Sequence, residues 1–347
     1  MAAGVNVDIL IGGNEVNDGD FVSFVVDRDM YQPDMAAIVL SNQNDIYGGK
    51  FNLGQSIEIK VGEPSVSVYK GEIVGIEGVY KGKKNTTITI RGMNKLHRLL
   101  RTRKSITYTE KTDEAILKDV VKDGGLTLKW EHKTAITYKH VYQHNQTDLE
   151  FLRTRAARLG CHVWCVGTDV FVKEPNPKSS GVKLSVDDGD TLKGFTPRIN
   201  SSSVVKKVTV RGWNPETKEL ITGDATADQA KLKDVGTQGA VAACGELAAE
   251  ETFTVDHPIW SAEEAKAIAK ARVRDLNLQF ITGEAECKGT TEADLGQTIE
   301  ITANKHAGDP FNGNCYVMGI THKLSLPKGD AGGFLTTFRF ARDGQKA

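Results

Sequence analysis

The 347-residue sequence lacks the features that would place it in a membrane, on nucleic acid or outside the cell. Its 44 basic and 45 acidic residues leave a net charge of −1, so no basic surplus is available to bind a phosphate backbone. No apolar run reaches the ~20 residues that a membrane-spanning helix needs. The N-terminus has no basic segment followed by an apolar one, so no secretory signal is predicted.

Cysteine is scarce and odd in number, with residues at 161, 165, 244, 287 and 315. This count predicts reduced thiols rather than a disulfide framework. Cys161 and Cys165 could be read as a metal pair, but four residues of strand span about 13 Å, whereas two zinc-bound thiolates lie within ~4–5 Å. We predict a half-buried structural pair, with no metal and no cofactor.

No catalytic motif is recognisable. His140 and His144 lack the glutamate of a zinc-protease helix. Residues 187–190 suggest a calcium loop, but Arg198 stands where an EF-hand requires glutamate. Residues 78–84 are one residue short of a phosphate-binding loop and lack its Ser or Thr, so a hairpin tip is the better interpretation. The sequence predicts that the protein is not an enzyme, although the 45 acidic residues leave a hydrolase-type carboxylate pair open.

Glycine is plentiful instead, with 35 residues that lie singly between short apolar runs. This spacing is typical of a turn-rich β protein. In the first hundred residues, alternating patterns predict strands at 7–11, 21–26, 36–40, 57–61, 73–76 and 88–90, and a helical turn at 95–101. We predict that residues 1–101 form a first β-barrel.

Residues 102–178 read as a small α/β domain. One helix follows Thr112, and a second begins with a capping box formed by Thr147 and Glu150 and ends at Gly160. Phe151 lies off the apolar stripe of this helix, so it either covers nearby arginine side chains or meets a partner. Residues 179–347 are predicted to form a second β-barrel with a long mobile loop at 223–252 and a helix at 262–276, which a Ser261–Glu264 capping box opens.

An internal repeat links the two β regions. The segment Leu53, Gly54, Gln55, Ser56, Ile57, Glu58, Ile59 recurs as Leu295, Gly296, Gln297, Thr298, Ile299, Glu300, Ile301. Gly71 follows the first segment at the spacing with which Gly313 follows the second, and each glycine is predicted to open the next strand. Convergence on a common turn-plus-strand pattern is the alternative, but the repeat favours two tandem related β-barrels.

The sequence resembles phage late-control D and VgrG-type baseplate hub proteins. The likeness is carried by Thr147-Asp148, Phe151-Leu152, Ala156 and Gly160, by Leu53-Gly54-Gln55, Arg91-Gly92 and Leu99, by Trp260-Ser261, and by residues 311–317, His322, Thr336-Thr337-Phe338 and Arg342. It implies a mainly β fold with an α+β insert, namely two tandem hub-type barrels plus a small α/β domain. The family assembles as homotrimers, in which six similar barrels form a pseudo-six-fold ring.

The resemblance also implies a place and partners. The place is a contractile tail or phage-tail-like particle, which is assembled in the bacterial cytoplasm. The partners are a tail tube or tube-initiator protein, a baseplate wedge, a tape measure and a spike. VgrG proteins continue into an OB-fold and a β-helical needle, and this sequence stops at Ala347, so a separate spike protein is expected. The alternatives are a tail-associated cell-wall hydrolase, a VgrG-like secretion spike component, and a ligand-binding β protein with an accidental repeat.

Overall fold

The computed structural model describes residues 5–81, 86–133, 136–186, 191–232, 235–236, 238–306, 308–328 and 331–346. Its fold is mainly β. The first part of the chain contains β1 (Val7–Ile11), β2 (Asn14–Glu15), β3 (Phe21–Asp29), β4 (Met35–Ser41), β5 (Ser56–Val61), β6 (Val66–Tyr80) and β7 (Thr86–Met93), with 3-10 helices at Asp18–Asp20, Gln43–Asp45 and Lys95–Leu100. These strands and the helical turn near residue 95 confirm the pattern-based prediction.

The α/β region contains β8 (Arg103–Thr112), α1 (Asp113–Asp123), β9 (Thr127–Glu131), β10 (Thr137–Thr147), α2 (Asp148–Arg158), β11 (His162–Val166) and β12 (Asp169–Lys173). The capping box of α2 is confirmed, because the Thr147 hydroxyl accepts from the Glu150 N–H at 3.2 Å and the Glu150 carboxylate accepts from the Thr147 N–H at 2.9 Å. Such a cap stabilises a helix by about 1 kcal/mol. Gly160, with φ 64°, supplies the left-handed residue after the helix.

Phe151 faces inward rather than toward a partner. Its side chain is buried, and its ring stacks on Tyr108 with centroids 5.8 Å apart. It belongs to a small apolar core with Ile116, Tyr138 and Val141. The possibility that this side chain meets a partner is therefore wrong, because the antiparallel pair of β8 and β10 supplies a second apolar surface that the helical pattern alone does not reveal.

The remainder of the chain contains β13 (Lys178–Ser185), β14 (Leu192–Ile199), β15 (Val205–Asn214), β16 (Glu219–Thr226), α3 (Ala227–Ala230), β17 (Gln238–Gly239), α4 (Ala240–Cys244), a 3-10 helix at Gly245–Leu247, β18 (Ala249–Thr254), α5 (Ala262–Asn277), β19 (Ile281–Lys288), β20 (Gln297–Thr302), β21 (Gly313–Lys328), β22 (Ala331–Arg342) and β23 (Gly344–Gln345). Helix α5 confirms the predicted helix at 262–276. Only one of the two hydrogen bonds of the predicted capping box is present among the described residues. The Ser261 hydroxyl accepts from the Glu264 N–H, but the Glu264 carboxylate accepts from the Trp260 N–H rather than from that of Ser261.

The predicted mobile loop at 223–252 is wrong in the described residues. This segment holds the end of β16, two short helices and most of β18, which pairs in parallel with β15. Strands β16, β15 and β18 form a separate three-stranded sheet, and α5 packs on it. The approach is close, since a Cβ on Gly223 would lie 2.4 Å from the Lys266 backbone nitrogen. Alanine and glycine, which weaken the periodic signal, are what allow this contact.

Thirteen strands of the described chain form one large curled sheet in the order β14-β19-β22-β21-β3-β4-β7-β6-β5-β1-β2, with β20 on β21 and β13 on β20. This order contains one arrangement twice. We call β3–β7 the first module and β14 with β19–β22 the second module. Each has its own apolar core. The two repeats therefore lie in one sheet rather than in two separate barrels, and the β16-β15-β18 sheet interrupts the second module in sequence.

In the part of the chain that the structure describes, no helix is both long and apolar enough to cross a membrane.

Candidate functional site

The two Leu-Gly-Gln turns have the same local geometry. Gly54 and Gly296 both take left-handed φ values, 86° and 79°, which favour glycine. In both turns the glutamine Oε1 accepts from the backbone N–H three residues earlier, at 2.8 Å in the first turn and 2.9 Å in the second. Leu53 is exposed while Leu295 is buried, so the turns differ in what covers them.

The isoleucines that follow these turns are core residues of the two modules. Ile57 and Ile59 of β5 and Ile299 and Ile301 of β20 are all buried. Their alternation with polar residues matches the two faces of a half-buried strand.

The downstream glycines do not occupy equivalent places. Gly71 lies opposite Ile57 within β6, whereas Gly313 lies opposite Ile301 at the start of β21. The prediction that Gly71 opens a strand is wrong, and the two hairpins differ in register by two residues. The equal sequence spacing of these glycines is thus not matched by the strand pairing.

Beyond this shift in register, the two modules again have equivalent residues at equivalent places. Gly75 of β6 lies opposite Arg91 directly after a bulge, and Gly319 of β21 lies opposite Arg339 directly after a bulge. An isoleucine follows each glycine. An alignment of the two modules that allows a gap of two residues would have matched these Gly-Ile pairs. An alignment with the constant spacing of the Leu-Gly-Gln turns does not match them.

Among the residues that the structure describes, strand pairing joins the two modules at one place, between β21 and β3. Residues 319–325 of β21 pair antiparallel with residues 29–23 of β3. On the outer face, Arg339 donates to Asp27 at 3.0 Å and to Asp29 at 3.1 Å, and the Thr321 hydroxyl donates to Asp27 at 2.9 Å. On the inner face Ile320 and Leu324 are almost completely buried. The junction thus combines strand pairing, an ion-pair cluster and an apolar core.

The run β14-β19-β22-β21-β3-β4-β7-β6 ends in two strand edges that have no partner among the described residues. One is the outer edge of β6 from residue 75 onward, which pairs on its other side with β7, and the second is the outer edge of β14. Both edges carry exposed apolar side chains, with Ile76 37%, Tyr80 72% and Ile199 39% exposed. Exposed edges of this kind are ready to pair with another strand.

The candidate chemical residues are not assembled into a reactive centre. Cys161 and Cys165 are buried, and burial raises the pKa of each thiol to about 12, so both stay protonated near neutral pH. His140 and His144 lie on strand β10 and not on a helix of the kind that zinc proteases use. No group of three or more potential metal ligands occurs within the described ranges. Residues 187–190, and residues 82–84 of the predicted hairpin tip at 78–84, lie outside the described residues.

A buried charge network connects the α/β region to α5. Arg155 of α2 pairs with Asp113 of α1, and Arg158 pairs with Glu264 of α5. Both guanidinium groups also lie over the Tyr138 ring, at 4.5 Å and 5.8 Å from its centroid. Burial lowers the pKa of Arg158 and raises that of Glu264. The network fixes α2 against α5 and thereby orients the α/β region on the three-stranded β16-β15-β18 sheet that α5 covers.

His322 is a buried histidine of the second module, and its burial can be tested through the pH dependence of stability. Its Nδ1 lies 3.0 Å from the Thr336 hydroxyl, and burial lowers its pKa to about 3. Between about pH 3 and pH 6.5 the unfolded chain binds more protons at this residue, so stability rises with pH in that window. In His322→Gln we expect the slope of unfolding free energy to fall by up to ~1.4 kcal/mol per pH unit there, measured by urea unfolding. His306→Gln, at an exposed position, is the control, and an unchanged slope in His322→Gln would contradict the prediction.

Comparison with solved structures places this fold among tail proteins. The chain is similar to the 43 kDa tail protein of prophage MuSo2 from Shewanella oneidensis, with a TM-score of 0.73, 15% identity, and coverage of 98% of this chain and 99% of that chain. It is similar to a tail protein from Neisseria meningitidis MC58, with a TM-score of 0.72, 16% identity, and coverage of 98% and 97%. It is also similar to the E. coli c3393 protein, a component of the type VI secretion system, with a TM-score of 0.61, 13% identity, and coverage of 96% of this chain and 76% of that chain.

These likenesses establish the fold over nearly the whole chain. A family model described as the Alg8 N-terminal domain matches residues 3–325, and the chain belongs to that family. No match is found among curated proteins.

Proposed function

We propose that the protein is a structural hub in the tail or baseplate of a contractile phage tail or a related injection particle. The observation that carries the proposal is the twofold occurrence of one strand arrangement in a single curled sheet. It is supported by the full-length likeness to two tail proteins. The E. coli neighbour is described as structurally similar to bacteriophage T4 tail proteins gp27 and gp5, which points the same way.

The hub would be a homotrimer whose six modules form a pseudo-six-fold ring. Three chains with two similar modules each can contact a six-fold tube on one side and a three-fold spike on the other. Closed cyclic assembly is the general rule for homo-oligomers, and an obligate interface of this kind should bury several thousand Å². The partners we propose are a tail tube or tube-initiator protein, a separate spike protein, a baseplate wedge and a tape measure.

Within this proposal, residues 1–101 and 179–347 are the two duplicated β regions and residues 102–178 are the α/β insert. The repeat residues around Gln55 and Gln297 set the turns and core strands of the duplicated parts, rather than binding a ligand. The β16-β15-β18 sheet with α5 is a further insertion into the second β region. The place of action is the virion tail or particle, after assembly in the bacterial cytoplasm.

We propose a structural rather than a catalytic role. The cysteines considered for chemistry are buried and protonated, and His162 and His322 are buried neutral imidazoles whose pKa values burial lowers to about 3. A tail-associated cell-wall hydrolase remains the competing function, and release of soluble fragments from purified peptidoglycan by the chain would favour it.

The proposal is tested by the mass of the purified chain in solution. Light scattering at micromolar concentration is expected to give three times the mass of the chain. The measurement is repeated at high salt, which weakens surface ion pairs but not an apolar interface. A monomer in all conditions would overturn the proposed hub.

A further inference from the structure

We propose that a cleft between β10 and residues 256–260 binds a carboxylate group that is attached to an apolar body. The cleft has a volume of about 530 Å³, which is within the usual range for small-ligand sites. It lies where the α/β region meets the segment that precedes α5. This binding site goes beyond the structural role proposed above and does not depend on it.

Aromatic rings form much of the wall of the cleft. Tyr138 and Tyr142 lie on β10, Phe151 lies on α2, and Trp260 lies in the segment before α5. Tyr138 and Phe151 are each 2% exposed, whereas Tyr142 is 48% exposed. The rings therefore extend from the interior to the surface, and they offer an apolar contact to the body of a ligand.

The charged groups of the cleft favour an anion. Five basic side chains line it, and they include three of the chain's eight histidines: His140, His144, His257, Arg155 and Arg158. Among the described residues that line the cleft, Asp256 is the only acid, and its side chain is fully exposed. In a chain with a net charge of −1, this is a local excess of positive groups. The histidines do not form a metal site, since no group of three or more potential ligands meets within the described ranges.

Two nitrogen atoms of these side chains have no hydrogen-bond partner among the described residues. Arg158 donates through Nη2 to Glu264, but its Nε is buried and unpaired. The Nδ1 atom of His257 lies 3.1 Å from the Asp256 carboxylate, whereas its Nε2 is buried and unpaired. Unpaired polar groups that are shielded from water are costly, so a ligand that brings acceptor atoms to them is favoured.

A carboxylate matches these two nitrogens because it has two oxygens and a negative charge. One oxygen accepts from Nε of Arg158, and the other accepts from Nε2 of protonated His257 once this partly exposed ring turns toward the ligand. The ligand thereby adds a counter-ion beside a guanidinium group that Glu264 alone now contacts through Nη2.

Binding of a carboxylate should be coupled to protonation of His257. Burial, and then the charges of Arg158 and Arg155 on α2, lower the pKa of this imidazole, while the neighbouring Asp256 raises it. The other titratable groups around the cleft are Tyr138, His140 and His144 on β10 and Glu264 on α5, which pairs with Arg158. A bound carboxylate raises the pKa of His257, so binding takes up a proton and becomes stronger as the pH falls.

The test uses two pairs of probes in which an amide replaces the carboxylate without a change of shape. The first pair is benzoate and benzamide, and the second is the blocked dipeptides acetyl-Phe-Glu-amide and acetyl-Phe-Gln-amide. Saturation-transfer NMR on the full chain is expected to show about fivefold stronger binding of the carboxylate in at least one pair. A preference within the benzoate pair identifies a free acid as the source of the carboxylate. A preference within the dipeptide pair alone identifies an acidic segment of another protein.

The His257→Gln variant tests the assigned contact. In the unmodified chain the affinity for the carboxylate should rise about threefold from pH 8 to pH 6, and His257→Gln should lose both this rise and most of the preference over the amide. The ring of His257 is 30% exposed, so the variant is expected to fold, whereas Arg158 also holds α2 to α5. The control is His306→Gln, at an exposed position outside the cleft, which should change neither result.

Three results would overturn the proposal. They are equal binding of acid and amide in both pairs, absence of binding by every probe at millimolar concentration, and a carboxylate preference that His257→Gln leaves unchanged. None of them alters the mass of the assembled chain, which tests the proposed hub separately.

Discussion

The Ile299→Asp variant is expected to be unfolded at room temperature. Ile299 is fully buried in the core of the second module, on the β20 strand that pairs with β21. Loss of the isoleucine side chain should cost about 2–5 kcal/mol, and burying an unpaired carboxylate should add several more. The sum is comparable to the ~5–15 kcal/mol by which a typical domain is stable. Circular dichroism and thermal melting would measure the result.

Two controls separate burial from strand position. Ile299→Val should cost only about 1 kcal/mol, because it removes one methylene group. Glu300→Gln, at the adjacent exposed position, should change stability by less than ~0.5 kcal/mol. Ile57→Asp should behave like Ile299→Asp, because Ile57 is buried at the equivalent place in the first module. Normal melting of either aspartate variant would contradict the assignment of these strands to the two cores.

Replacement of Glu264 by Leu is expected to lower the free energy of unfolding by about 3–5 kcal/mol, as is usual when one partner of a buried ion pair is removed. The Glu264 side chain is 1% exposed; it pairs with Arg158 and also accepts from the Trp260 N–H at 2.9 Å. Without it, Arg158 would stay buried beside Arg155, and Asp113 would be the remaining buried carboxylate of this network to balance two cations. Urea unfolding would measure the loss.

The matched control for this prediction lies one residue away. Glu263 is exposed in the first turn of the same helix, so Glu263→Leu removes a carboxylate of equal charge without touching the network. We expect a change below ~1 kcal/mol there, from the loss of a favourable acidic residue at a helix N-terminus. An equal loss in both variants would show that the helix end, not the pair with Arg158, accounts for the Glu264 effect.

Local sequence signals were sufficient for much of the fold. The capping box at Thr147, the left-handed Gly160 and the alternating strands of the first module were all predicted, because each depends on residues within one or two turns of chain. The paired turns at Gly54 and Gly296 were found in the same way. The equal spacing of Gly71 and Gly313 after the two turns led to a wrong prediction about Gly71. A register shift of two residues keeps the same side chains facing inward, so the alternation of apolar and polar residues does not reveal it.

Strands β16 and β18 of the sheet at 205–254 were missed because their signal is weak. Strand β16 packs against α5 through Gly223 and small side chains, and β18 pairs in parallel with a strand far away in sequence. Neither contact requires a strong local pattern. Likewise, nothing near Phe151 in sequence indicates that the paired strands β8 and β10 will cover it.

Residues close together in the chain are enough to predict a turn-rich β protein with a duplicated turn-and-strand unit and a helix-containing insert. Hydrogen bonds to neighbouring residues and the two-residue period of strands encode these features locally. In contrast, the finding that both modules share one curled sheet, in which β21 pairs with β3, comes from the three-dimensional fold. That pairing joins residues about 300 positions apart, and it depends on edge geometry and charge that no local pattern records.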